Sequence, residues 1–171
     1  MTIDIHPHVI STDTTRYPNA PVGGKKSNWS HDKPVSVEQM LVAMDQAGIA
    51  KSVLVQASTC YGHDNSYLAD SVAAHPNRFT GVFSVDVLAP DAPEKIRYWV
   101  SRKLTGMRLF TAGSTMPNQA DWVDDPRSFP AWECASELNI PICMQMTVKA
   151  ISQLVRMLER FPKVRVILDH L

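Results

Sequence analysis

Six short runs rich in β-branched and apolar residues alternate along the chain with stretches of helical periodicity. That rhythm is the mark of βαβ units, and it predicts an α/β fold around a parallel sheet. Strands are expected over residues 2–8, 52–56, 79–86, 106–110, 140–146 and 164–169. The second run, Ser52-Val53-Leu54-Val55-Gln56, is apolar enough for a strand covered on both faces. Five helices fall between the strands. Ser36-Val37-Glu38-Gln39 reads as a capping box and opens the first, which carries Met40, Leu41 and Met44 and closes near Gly48. The second spans about 65–74. The third starts at Asp91, with Pro93 tolerated in its first turn. Ser128 is the expected cap of the fourth, and the fifth covers 148–161. The longer loops follow strands one, two and four, at the strand C-terminal ends where α/β sheets and barrels carry their active sites.

The 171 residues suit one domain with a sizeable core. The expected architecture is of (β/α)8 TIM-barrel type with six of the eight βα units present, since a whole barrel takes about 250 residues. The domain, 1–171, thus reads as truncated after its sixth strand. Its two unpaired edges invite another chain, so a homo-oligomer is an expected partner state. With 17 basic and 17 acidic residues the net charge is zero, which argues against nucleic acid or an acidic membrane surface as partner. No apolar run approaches the roughly 20 residues of a membrane span, and no signal-peptide pattern opens the chain. A soluble, cytoplasmic protein is expected. Cys60, Cys134 and Cys143 are odd in number and widely spaced, which fits reduced, buried thiols.

Asp4-x-His6-x-His8 is the strongest local feature. Alternation along a strand sends both imidazoles to one side, about 7 Å apart, with Asp4 one step deeper. Such a pair can hold zinc or a related ion, or can be two surface histidines. Asp169-His170 closes the sixth strand and brings a third imidazole toward the same mouth. Arg108 lies in an otherwise apolar strand. A buried arginine needs a partner, so it meets either a protein carboxylate or an anionic substrate. Gly62-His63-Asp64-Asn65 reads as a turn with Asp64 or Asn65 capping the next helix, at a place that also suits substrate contact. Trp122 and Trp132 read as packing residues, and His31 and His75 as surface histidines.

Taken together, Asp4-Ile5-His6-Pro7-His8, Gly106-Met107-Arg108-Leu109 and Val166-Ile167-Leu168-Asp169-His170-Leu171 resemble the amidohydrolase superfamily, in its amidohydrolase 2 branch. The Gly62-His63-Asp64-Asn65 loop is similar to one in lactonase members. The resemblance implies a (β/α)8 barrel with a mononuclear divalent metal centre, zinc being one candidate, or a site working without metal. His6, His8 and His170 would be the ligands, with His170 and Arg108 catalytic. Arg108, His63, Asn65 and Gln145 would bind a small organic acid or lactone. Gln145 stands where many metal-dependent members place a His or Lys, and the usual eighth-strand aspartate base would lie beyond Leu171. The implied activity is hydrolysis of a lactone or related small carboxylate ester. The alternatives are decarboxylation or hydration of a small unsaturated acid on the same barrel, or a non-catalytic barrel fragment.

Overall fold

The computed structural model describes residues 1–116 and 118–170; Leu171, which ends the sixth-strand motif, lies outside the described residues. The elements are β1 (Thr2–Asp4), α1 (Asn28–Asp32), α2 (Val37–Gln46), β2 (Ile49–Val55), α3 (Ser58–Tyr61), α4 (Ser66–Ala74) and β3 (Phe79–Ser84). They continue with α5 (Ala92–Ser101), β4 (Gly106–Phe110), α6 (Phe129–Glu137), β5 (Ile142–Gln145), α7 (Ile151–Arg160) and β6 (Val166–Asp169). All six strands are parallel and pair in chain order, β1 through β6. They form a curled part of a TIM barrel with helices packed on the outside. No helix among the described residues is long and apolar enough to cross a membrane.

Two-sided burial explains the strand composition. All five residues of β4 are buried, as are five of the six in β3. Leu54, Phe83, Met107, Leu109, Ile142 and Met144 belong to the large core beneath the helices. The opposite, inward face carries Val53, Val55, Val82 and Cys143, a smaller cluster of its own. The edge strands are wetter: Ile5, just after β1, is 70% exposed, and Ile167 of β6 is 48% exposed.

The capping box forms at the start of α2. Gln39 N–H donates to Ser36 Oγ at 3.3 Å, and Ser36 N–H donates to Gln39 Oε1 at 2.8 Å. Gly48 follows the helix at φ +66°, the left-handed conformation expected of a C′ glycine. Three expectations need correction. Most strands are shorter than their apolar runs, β1 most of all, because its ladder ends at Asp4 and His6 and His8 follow outside it. Ser128 does not cap α6: its hydroxyl donates to the carbonyls of Val123 and Asp125, while Asp125 caps the preceding turn through Arg127 N–H. The loops after strands one and two also contain short helices, α1 and α3, which are too brief for helical periodicity to register.

These two loops lock together. Ala20 N–H donates to the Cys60 carbonyl at 2.9 Å, and Ser11 N–H donates to Tyr61 Oη at 2.8 Å. Gly62 sits at the contact with φ +57°, and a Cβ there would lie 2.3 Å from the Ala20 carbonyl oxygen. Gly62→Ala should therefore cost on the order of 3 kcal/mol, combining left-handed strain with a backbone clash. A urea midpoint unchanged by the substitution would refute that account.

Candidate active site

The mouth of the sheet gathers its chemistry through the parallel register. Ser84 pairs with Arg108, Arg108 with Cys143, and Gln145 with Asp169. Arg108 therefore points inward beside the ends of β5 and β6, and only 4% of it is exposed. Its Nη1 donates to the Gln56 carbonyl at 3.0 Å and its Nη2 donates to Gln145 Oε1. Nε stands 3.9 Å from Asp169 Oδ2. Burial draws the guanidinium down to about 10, against the pull of Asp169, so it stays charged at neutral pH. Of the two partners the sequence left open, the protein carboxylate is present, yet Arg108 Nε and Asp169 Oδ2 are both buried without a hydrogen bond among the described residues.

The three imidazoles come together here. The ring centroids of His6 and His8 are 5.1 Å apart, and those of His6 and His170 are 4.8 Å apart. The spacing is tighter than along an extended strand because both residues lie past the end of β1. Asp4 Oδ1 accepts from His6 N–H at 3.2 Å. His6 turns Nδ1 toward Asp169 Oδ1 at 3.6 Å, and its Nε2 is buried with no partner among the described residues. His8 Nδ1 lies 2.7 Å from the Val55 carbonyl, an acceptor, so that nitrogen carries the proton and Nε2 keeps its lone pair. Burial first, then the Arg108 charge, lowers His8 to about 3. His170 adopts φ +56°.

A cavity of about 290 Å³ fills this mouth, with Trp29, Phe110 and Gln145 among its walls. A larger space of about 580 Å³ runs down the inward face and is mostly apolar. Gly113 lets the mouth close tightly, since a Cβ there would lie 2.5 Å from the Phe110 ring and 3.1 Å from Gln145 Nε2. Cys143 lines the larger space, where burial, then Asp169, pushes its thiol up to about 11.

Other candidates sit elsewhere. Gln145 is at the mouth but spends its carbonyl oxygen on Arg108. Asn65 is fully buried, its amide donating to the His63 and Ser84 carbonyls and accepting from Ser84 N–H. It does not line the mouth, and it leaves the capping of Ser66 to Asp64. His63 lines a neighbouring cavity. Trp132 is core, and Trp122 packs against the core. The three cysteines are free and buried.

The sequence sets Asp169 with His170 at the strand end facing the mouth, and the structure adds its contacts to His6 and Arg108. Sequence reasoning missed one residue. Trp29, 42% exposed, stacks on His8 with centroids 5.1 Å apart, and it rides on a helix that carried no sequence signal.

A divalent ion can be tested against these donors. His6 Nε2 and His8 Nε2 are free imidazole nitrogens at one cavity, which suits such an ion in donor type. Among the described residues no group of three or more His, Cys, Asp or Glu converges to hold one. The chain thus fits the ion in kind and offers two ready ligands.

Comparison with known proteins places this geometry. The amidohydrolase family model matches residues 3–171. The chain belongs to that family. It is 27% identical over 139 residues to an L-fucono-1,5-lactonase of Burkholderia ambifaria, a match covering 80% of this chain and 45% of the lactonase. The chain thus spans about half the length of the curated relative it matches. A probable 2-pyrone-4,6-dicarboxylic acid hydrolase of Acinetobacter baumannii, solved with citric acid bound, superposes with a TM-score of 0.75 at 20% identity, over 99% of this chain and 58% of that one. An amidohydrolase of Burkholderia multivorans with bound zinc gives 0.73 at 19% identity, over 99% and 57%. These structural likenesses establish the shared barrel fold.

Because His8 is held neutral while its unfolded counterpart titrates near 6.5, the unfolded chain binds the extra proton between those values. Stability should accordingly fall with pH from about 6.5 to about 3, by up to about 1.4 kcal/mol per pH unit from this group. In chelator-treated protein, His8→Gln should flatten the acid limb of a urea-midpoint titration. Parallel limbs in the two proteins would contradict the assignment.

Proposed function

We propose that this chain carries the catalytic mouth of a hydrolase that opens a lactone or related small carboxylate ester with water. The convergence of His6, His8, His170 and Arg108 around one cavity, with Asp169 behind them facing His6 and Arg108, and with three buried polar atoms left unpartnered among the described residues, is the observation that carries this reading. Such atoms cost energy in the resting chain and are repaid when a substrate or water meets them. The lactonase relative, 27% identical, supports the same class.

Arg108 lines the mouth and would donate from its guanidinium to the substrate carbonyl oxygen, where negative charge grows as water adds. The guanidinium is already faced by Asp169, so a neutral ester carbonyl suits it better than an isolated extra carboxylate. His170 takes a proton from the attacking water as the new C–O bond forms. The ring C–O bond then breaks, and the same proton passes to the departing alkoxide to give the hydroxy acid. Asp169 steadies the imidazole cluster through His6. His6 and His8 would hold a divalent ion, zinc among the candidates, and His170 would stay off it as the base; bound there, the ion would add Lewis acidity at the carbonyl. Gln145 fixes the Arg108 fork.

Proton release by pH-stat, with a panel of five- and six-membered lactones and the native protein, tests the proposal. Arg108→Lys and His170→Ala should each lower kcat/KM by roughly 100-fold or more, the usual scale for losing an oxyanion donor or a general base. Native-like rates in both variants, or carbon dioxide release in place of ring opening, would sink it.

A further inference from the structure

We propose that Phe110 sets the size of the acyl group this mouth admits, as a wall that the loop after β4 locks in place. The proposal deepens the hydrolase reading and rests on it. The mouth cavity, about 290 Å³, is at the bottom of the range for ligand pockets, about 300–1,000 Å³. The spaces beside it therefore decide which substrates fit. The larger of these, about 580 Å³, shares His6 and His170 with the mouth, so the mouth is open on that side. The other, about 210 Å³, lies at the end of β3, where Ser84, Val85 and Asp86 line it. Among the described residues Phe110 alone lines both that space and the mouth. Its ring is the partition between them.

The partition is fixed from both sides. Arg108 and Phe110 alternate with Leu109 on β4, so they share the inward face, and the guanidinium carbon lies 5.3 Å from the ring centroid, within cation–π range. Gly113 closes the opposite side: a Cβ there would lie 2.5 and 2.8 Å from two ring carbons and 3.1 Å from Gln145 Nε2. The Gly113 backbone is itself anchored through the start of its loop. Thr111 N–H and the Thr111 hydroxyl both donate to the Gln145 carbonyl, at 3.0 and 2.8 Å, and Ala120 N–H donates back to the Thr111 carbonyl at 2.7 Å. The ring thus has charge on one side and main chain on the other, and it is 8% exposed. A ring packed this closely resists swinging aside for a ligand.

The orientation of the substrate turns this wall into selectivity. With the carbonyl oxygen on Arg108, the carbon next to the carbonyl is the part of the ester nearest Phe110. The ring oxygen, which leaves as alkoxide beside His170, faces the open side. Bulk on the acyl side therefore meets the Phe110 ring, whereas bulk on the alkoxy side does not.

The experiment measures ring opening of three probes: δ-valerolactone, α-benzyl-δ-valerolactone, whose bulk is next to the carbonyl, and δ-decalactone, whose pentyl tail is on the carbon bearing the ring oxygen. The native protein should disfavour the α-benzyl lactone alone. Phe110→Ala should raise kcat/KM for that lactone about tenfold or more relative to δ-valerolactone, and leave the ratio of δ-decalactone to δ-valerolactone within about twofold. Phe110→Leu should shift the first ratio less in the same direction, and keeps the test sound if the alanine variant folds poorly. Gly113→Ala should raise KM for δ-valerolactone roughly fivefold or more by driving the ring into the mouth, and adding Phe110→Ala should remove most of that increase, because the new Cβ then enters the space the ring leaves. A first ratio unmoved in both Phe110 variants, or native protein that opens the α-benzyl lactone as readily as δ-valerolactone, would overturn the wall while leaving ester hydrolysis standing. Failure of the native protein to open any of the three would overturn the hydrolase reading, and the wall with it.

Discussion

A guanidinium withdrawn from water must find acceptors, and meeting that demand for Arg108 organises the mouth of this sheet. The acceptors come from three other segments: the Gln56 carbonyl after β2, the Gln145 amide at the end of β5, and Asp169 at the end of β6. Each stands where it does because the strands are parallel and in chain order, so a slip of one residue in β5 or β6 would turn its acceptor toward the helices. The resulting network is incomplete. Arg108 Nε and Asp169 Oδ2 face each other at 3.9 Å, too far for a hydrogen bond, and neither has another partner among the described residues. A purely structural ion pair would have closed that gap, since an unmet buried charge is costly. The site instead stores unmet polar capacity facing a cavity, which is the electrostatic form a preorganised binding centre takes.

The imidazole cluster depends on the same arrangement. Asp169 faces both Arg108 and His6, so one carboxylate links the cationic side of the mouth to the histidine side. His8 is held differently, by the Val55 carbonyl, which fixes its tautomer without charge. Arg108 and burial then keep it unprotonated. Two rings a few ångströms apart thus have different supports, and both leave Nε2 free. That division suits a centre in which imidazole nitrogens must stay available as acceptors.

The fold was largely legible because its signals are periodic or carried by capping chemistry. Continuous apolar runs at Ser52–Gln56 and Gly106–Phe110 could hardly be anything other than strands covered on both sides. Ser36 and Gln39 announced a helix start that forms as read. What escaped notice is short. Four residues of α3 and five of α1 are less than two turns, and they are held by loop contacts, Ala20 with Cys60 and Ser11 with Tyr61 for α3 and Ser27 with Thr59 and Ser30 for α1, rather than by any pattern of their own. Ser128 failed as a cap because Pro126 had already begun a turn, which left its hydroxyl nearer to carbonyls than to free N–H groups. The site was partly legible for the same reasons. His6, His8 and His170 stand just past strand ends, and Arg108 within β4, where periodicity could place them. Trp29 and the separation of His63 from the mouth depend on loop geometry that no period encodes.

That contrast explains how one barrel face can hold both fixed and variable chemistry. Arg108, Gln145 and Asp169 are strand residues, positioned to within a side-chain rotamer by ladder hydrogen bonds. Trp29, Phe110 and His63 set the size and polarity of the spaces around them, and two of the three are reached through loops. Gly113 and Gly62 matter at this boundary, because each permits a loop to approach closer than any Cβ would allow. A change in the loops can therefore reshape which substrate arm fits beside Arg108 while the strands keep the reacting centre unchanged. Specificity in such a chain should be sought where glycine lets a loop press on the sheet, and chemistry where the register leaves a buried polar atom without a partner.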